Sequence, residues 1–248
     1  VSANLTTIDN EVVSLISKDY SIINGVSRVS EGYPIGYFYG YKVAGVYQNE
    51  TDIETSAPNQ VASVKPGDLK FADVNGDGII DTHDQVKLGN SIPKWMGGFN
   101  TSASWKGLTL FARFDYALGY KKWNSGYQYF MGITSGSFNV PELAKKTWTE
   151  DNPTAGLPVL MTNDTNFKKN YTRNTSLFWE NAAYLCAREI SLSYDLPSQW
   201  TKKAMMEKVT VTLTGQNLFY VTSNNLYTPE YDSKNNTKDD GKGGYALP

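Results

Sequence analysis

Residues 73–84, Asp-Val-Asn-Gly-Asp-Gly-Ile-Ile-Asp-Thr-His-Asp, are the stretch of this 248-residue chain best spaced for chemistry. Side-chain oxygens recur at alternate positions, Asp73, Asn75 and Asp77, and Gly78 follows. Ca²⁺ is a hard ion that takes six or more oxygens, and alternate residues of a tight loop aim theirs inward. On the twelve-residue EF-hand spacing these three take positions 1, 3 and 5, and Gly78 makes the sharp turn at position 6. The Ile79 carbonyl falls at position 7, Asp81 at position 9 and Asp84 at position 12. Ile80 is then the apolar residue that anchors the loop. Asp84 stands where the EF-hand has Glu, so the loop must draw in for bidentate binding. The expectation is one structural Ca²⁺, held by Asp73, Asn75, Asp77, Ile79, Asp81 and Asp84. The same residues would also make a Gly- and Asp-rich turn without an ion.

Little else in the chain suits catalysis. His83 is the one histidine and Cys186 the one cysteine, which removes Ser-His-Asp, Cys-His and His-based zinc arrangements. A glycoside hydrolase using two carboxylates stays formally open, with 25 Asp and Glu residues, but the loop accounts for four of the Asp. The expectation is that the chain is no enzyme. A net charge of −2 argues against a nucleic-acid partner, which needs a clustered basic surplus.

The elements that would carry the loop read as β throughout. In residues 108–118, Leu108, Leu110, Ala112, Phe114, Tyr116 and Leu118 share one face, with Thr109, Arg113 and Asp115 on the other. Phe99–Trp105 alternates more weakly, and Lys106-Gly107 is so short a link that the two segments form a hairpin. In residues 184–196, alternation puts Cys186, Arg188, Ile190, Leu192, Tyr194 and Leu196 together, so Arg188 should lie near a strand end. In residues 209–221, Val209, Val211, Leu213 and Gly215 alternate with Thr210, Thr212, Thr214 and Gln216. Between these two segments runs a short helix-like stretch after Pro197.

Connections alternate in length. Residues 48–92, 120–177 and 222–245 are long and polar, while 105–108 and 197–208 are short. In an outer-membrane barrel the short turns are periplasmic and the long loops extracellular. The aromatic content of 13% with only 19% charged residues suits membrane interfaces and carbohydrate-contacting loops. In the loop 120–135, Trp123, Tyr127, Tyr129 and Phe130 are candidate substrate contacts, or contacts to a partner protein. The same aromatics would also suit an interfacial girdle or packing within the loop. The alternative to a barrel is a secreted, calcium-dependent carbohydrate-binding β-sandwich, whose strands alternate for a different reason.

Several ordered segments resemble the C-terminal barrel region of SusC/RagA-type TonB-dependent transporters. They are Gly32–Lys42 with Gly45-Val-Tyr47, Pro66–Asp81, Leu88–Pro93, Trp148–Pro153, Ala183–Pro197, Gly215–Phe219 and Pro229-Glu230. The resemblance implies an all-β fold: an antiparallel transmembrane β-barrel fragment, about six strands of a barrel of about 22, with long extracellular loops. Residues 1–248 would be the C-terminal part of that barrel, the plug domain and final strand absent. Residues 48–92 would be the extracellular loop that carries the calcium-type sequence. The implied function is import of oligosaccharides (glycans) or peptides across the bacterial outer membrane, with a SusD-like lipoprotein as partner. The TonB–ExbB–ExbD system would act through the missing N-terminal part, and outer-membrane lipid would surround the strands.

Overall fold

At Lys106-Gly107 the backbone takes positive φ twice, 47° and 85°. That twist matches two antiparallel strands leaving in a tight hairpin, and the glycine carries it without strain. The computed structural model describes residues 1–124, 126, 130, 131, 142–160 and 170–223.

The first elements are β1 (Ser2–Thr7), β2 (Ile22–Asn24), β3 (Ser27–Val29), β4 (Tyr37–Tyr41) and β5 (Val43–Val46). Helix α1 (Glu50–Glu54) follows, capped by the Asn49 side chain, which accepts from Asp52 N at 2.9 Å. Then come β6 (Leu69–Phe71), β7 (Gln85–Gly89), β8 (Trp95–Trp105), β9 (Leu108–Leu118) and β10 (Lys121–Trp123). The last are β11 (Trp179–Asn181), β12 (Tyr184–Asp195), α2 (Ser198–Thr201), β13 (Thr210–Gln216) and β14 (Tyr220–Thr222).

One antiparallel sheet dominates, in the order β1-β8-β9-β12-β13, with β14 also on β12. Paired residues across an antiparallel ladder share a face. One face therefore carries Trp95, Phe99 and Trp105 of β8 beside Leu118, Phe114 and Leu108 of β9. Leu192 and Tyr194 of β12 and Leu213 and Val211 of β13 continue it. With Leu5 of β1, opposite Gly97, these side chains are 37–76% exposed where they are bare, so an apolar face lies open over five strands. Strands β8 and β9 are each eleven residues long, which suits the height of a bilayer's apolar band when tilted, and β8 carries an indole at each end. The other face is polar, with Ser104 and Thr109 joined at 2.8 Å and Ser193 and Thr212 at 2.9 Å.

The faces expected for residues 184–196 need one correction. A β-bulge between Ala187 and Glu189 leaves Arg188 as an extra residue, so parity flips there. Cys186 consequently pairs with Asp115 on the polar face, not with Ile190 and Leu192 on the apolar one. Arg188 lies within β12 rather than at its end. The strand expected at 209–221 breaks opposite the bulge. Asn217 takes φ 50°, and Asn217 N and Leu218 N donate to the carbonyls of Arg188 and Ala187, each at 3.0 Å.

Both short connections lie at one end of the sheet, where Asp195 N donates to Gly107 O at 2.9 Å. Both long ones leave the other end. The first runs from residue 8 to 94, so residues 48–92 are part of a larger excursion. It is built into two small sheets, β2-β3-β4-β7 and β5-β6. The second runs from 119 to 183 and returns through the β10-β11 pair. The buried apolar clusters lie mainly here, one around Phe38, Leu88 and Trp179 and another around Tyr41, Leu69, Phe71 and Ile80. Among the described residues the apolar face of the large sheet lies open, whereas a β-sandwich would cover it with a second sheet.

Candidate functional site

On the polar face of the large sheet, Arg188 meets Asp115 through two hydrogen bonds, Nε to Oδ1 at 2.5 Å and Nη2 to Oδ2 at 2.7 Å. Arg188 Nη1 also donates to Asn217 Oδ1 at 2.8 Å, and Tyr184 Oη donates to Asp115 Oδ2 at 3.3 Å. Arg113 Nη2 lies 3.8 Å from Glu189 Oε2 on the same face. Arg113, Asp115, Tyr184 and Arg188, with Asn4 and Asn100, border a groove of about 590 Å³. The bulge builds this constellation, because it turns Arg188 towards the strand that carries Asp115. Alternation alone misses it. The available signal is a charge interrupting an apolar stripe, which marks a parity shift as readily as a strand end.

The calcium-type loop is well formed as a turn. Asp73 Oδ1 accepts from Gly76 N at 2.7 Å and its Oδ2 from Gly78 N at 2.8 Å. Asn75 Oδ1 accepts from Asp77 N at 3.0 Å, and Asp77 Oδ1 from Ile79 N at 2.9 Å. Gly76 and Gly78 take φ 76° and 82°, where a side chain would be strained. Ile80 is buried in the core beside Tyr41, Leu69 and Phe71, so it anchors the loop as the spacing implied. Asp84 is fully buried and clamps both ends, accepting from Val74 N at 2.7 Å and Asp81 N at 2.9 Å. Asp81 is turned to His83, accepting from its backbone N at 2.7 Å, with His83 Nδ1 3.0 Å from Oδ2. That contact holds the Asp81 carboxyl below the usual range and raises the His83 imidazole. Among the described residues no three Asp, Glu, His or Cys side chains converge on one point. Hydrogen bonds close the loop here, and gathering a cation would require Asp77 and Asp81 to turn inward.

The two excursions are sewn together. Asn174 Nδ2 donates to Tyr39 O, Tyr41 N donates to Asn174 O at 3.1 Å, and Trp179 Nε1 donates to Asn174 Oδ1 at 3.3 Å. Asn170 Oδ1 accepts from Leu69 N at 3.0 Å, and Asn170 Nδ2 donates to buried Asp68 at 2.9 Å. Phe38 stacks on Trp179 with centroids 3.7 Å apart, from opposite excursions. Trp123 is part of this joint, packed against Phe178 at 5.0 Å and Trp179 at 4.7 Å. Phe130 is 37% exposed, while Tyr127 and Tyr129 lie outside the described residues. The structure thus brings Trp123 into a core and leaves one aromatic candidate, Phe130, partly open.

No family model matches the chain. Two TonB-dependent receptors of Formosa agariphila are similar to it. One is 27% identical over 212 residues, covering 84% of this chain and 20% of the receptor. The other is 28% identical over 205 residues, covering 83% and 19%. The chain therefore spans about a fifth of the length of the curated relatives it matches. Among solved structures, the RagAB peptide transporter superposes with TM-score 0.72 and 24% identity, over 92% of this chain and 24% of that one. The RagAB peptide importer in its open-open state gives 0.66 and 23%, over 92% and 23%. These matches are to receptors and transporters, not to enzymes. The chain is thus similar to about a fifth of a TonB-dependent receptor and shares the fold of the matching part of the RagAB peptide transporter, which places it in the outer membrane.

Proposed function

We propose that the protein containing this segment imports oligosaccharides or peptides across the outer membrane, driven by TonB and served by a SusD-like surface lipoprotein. The observation that carries this reading is the two-faced sheet with both long excursions at one end. An apolar face over five strands suits lipid, a polar face suits a lumen, and joined excursions at one rim suit capture of substrate. Phe130 is the aromatic side chain retained as a substrate contact, together with Tyr127 and Tyr129. Trp123 acts instead by packing into the cluster of Phe38, Leu88 and Trp179, where the two excursions meet. Structural Ca²⁺ in the 73–84 loop belongs to the same proposal, as a device that would stiffen the first excursion.

The test uses the full-length protein in its cell. Uptake of labelled oligosaccharides and labelled peptides is followed with the gene intact, with it deleted, and with TonB removed. Uptake of one class that disappears in both deletions is the expected result. Uptake that survives either deletion overturns the reading. Pull-down of the intact protein tests the partner, and recovery without any surface lipoprotein counts against that part alone.

A further inference from the structure

The sheet β2-β3-β4-β7 has two faces with different surroundings. Phe38 and Leu88 enter the shared core against Trp179. On the other face, Arg28 pairs in register with Tyr37, and Tyr39 with Lys87, so all four stand together. Tyr33 folds over this face and stacks on Tyr37 with centroids 4.7 Å apart and planes at 23°. Tyr39 meets Tyr37 edge-on at 6.4 Å, and the Arg28 guanidinium carbon lies 4.3 Å from the Tyr39 ring centre. These side chains wall a cavity of about 350 Å³, within the range of small-ligand sites.

The lining keeps a small positive surplus, three cations against two carboxylates. Arg28 Nε is buried without a hydrogen-bond partner, and Arg28 makes no ion pair among the described residues. Burial also pushes the Lys87 ammonium below its usual value. Lys18, Asp19 and Glu31 line the cavity as well; Glu31 Oε1 is held by Leu15 N at 2.6 Å, and both carboxylates keep their charge. A desolvated cation with an idle donor is a poor structural choice and a good receptor for an anion. Tyr33 adds a flat surface: one face rests on Tyr37, and the residue stays 43% exposed.

We infer that this cavity binds a saccharide bearing an anionic group, a carboxylate or a sulfate. The anion lies against Arg28 and Lys87, and the apolar face of the sugar ring rests on Tyr33. A peptide fits less well. Val86 is the sole aliphatic residue of the lining, so apolar side chains have no socket. The strands that carry Arg28, Tyr37 and Tyr39 are paired on each side, so an extended peptide could add only at the outer strands β2 and β7, beside the cavity rather than in it. The inference rests on the proposal that residues 8–94 lie outside the cell, and it narrows the substrate class.

The test is calorimetric titration of the purified full-length receptor in detergent, where neither TonB nor the lipoprotein is needed. The probes are tetragalacturonate, a sulfated galactose tetramer, neutral maltotetraose and tetraglutamate. At least one anionic saccharide should bind tenfold or more tighter than the neutral one, and comparing the two identifies the anion. Arg28→Gln with Lys87→Gln, and separately Tyr33→Ala, should each weaken it tenfold or more, with the unfolding transition unchanged. Because Lys87→Gln keeps most of the side chain's length on the outer strand β7, its single variant guards against a folding artefact and should weaken binding by itself. Equal affinity for the neutral tetramer, no binding of any probe, tighter binding of tetraglutamate, or variants that bind like the native protein each overturn the inference. Failure of import with binding intact would instead count against the transport proposal alone.

Discussion

Arg188 and Asp115 stand on neighbouring strands and grip each other through two parallel hydrogen bonds, because a bulge in β12 places the arginine on the polar face. Their side chains are 24% and 31% exposed, so water only partly screens them. A two-pronged guanidinium–carboxylate contact is among the stronger polar interactions, and lysine cannot reproduce its fork. Arg188→Gln should therefore cost about 1–3 kcal/mol, with Arg188→Lys recovering only part of it. Urea unfolding of the full-length protein in lipid vesicles measures both. Native stability in either variant would mean that the pair contributes nothing to holding β9 on β12.

The parts of the fold that were legible are those with an unbroken period of two. Leu108–Leu118 keeps its alternation from end to end, and Lys106-Gly107 marks the turn, so hairpin and faces follow. The bulge was illegible because one inserted residue leaves composition unchanged while reversing every face beyond it. The sheet β2-β3-β4-β7 was hidden for another reason. Its strands are three to five residues long, and β4 finds β7 only across more than forty residues of chain. The Arg28–Lys87 cavity could not be seen without that pairing. In the 73–84 loop the glycines and the anchor Ile80 are legible from spacing, but spacing does not say where carboxylates point. Asp84 proved to be a buried clamp on the backbone, and Asp81 faces His83.

The apolar face makes a positional prediction. Arginine placed at 112 or 114, in the middle of β9 on the side of Leu110, should cost ~2–4 kcal/mol near the bilayer midplane. Arginine at 111, on the side of Arg113 and Asp115, should be mild. Labelling of single cysteines in full-length Cys186→Ser protein checks the same geometry. Positions 109, 111, 113 and 115 should react from water, with 110, 112, 114 and 116 protected. Equal labelling of both sets would mean that β9 does not cross a membrane.

The joint between the excursions depends on a close backbone approach. A Cβ at Gly40 would lie 2.4 Å from the carbonyl oxygen of Asn174, and backbone cannot step aside as a flexible side chain can. Gly40→Ala should therefore part the joint locally, at a cost of about 1–3 kcal/mol, while the large sheet stays folded. Hydrogen exchange reads the difference: the Tyr41 amide, which donates to Asn174 O, should lose protection, and amides of β8 and β9 should not. Unchanged protection at Tyr41 would mean that the close approach of Gly40 to Asn174 is not what holds the two excursions together.

Two substitutions separate the metal from the clamp in the 73–84 loop. If the loop takes Ca²⁺, its affinity should match extracellular modules of this kind, with dissociation constants of about 10⁻⁴–10⁻³ M. Asp77 accepts only from Ile79 N and the Asn75 amide, both within an exposed turn, so Asp77→Ala should abolish the ion and leave the loop otherwise intact. Asp84 is different. Removing its carboxylate strands Val74 N and Asp81 N without their buried acceptor, a loss of about 2–4 kcal/mol whether or not metal is present. Elemental analysis of protein equilibrated in millimolar calcium should find one ion per chain in the native protein and none in Asp77→Ala. Hydrogen exchange at Val74 should rise in Asp84→Ala with and without chelator, and in the native protein only slightly on chelation. Native protein free of calcium under those conditions would leave Asp84 as a purely structural clamp, and full occupancy in Asp77→Ala would place the ion elsewhere.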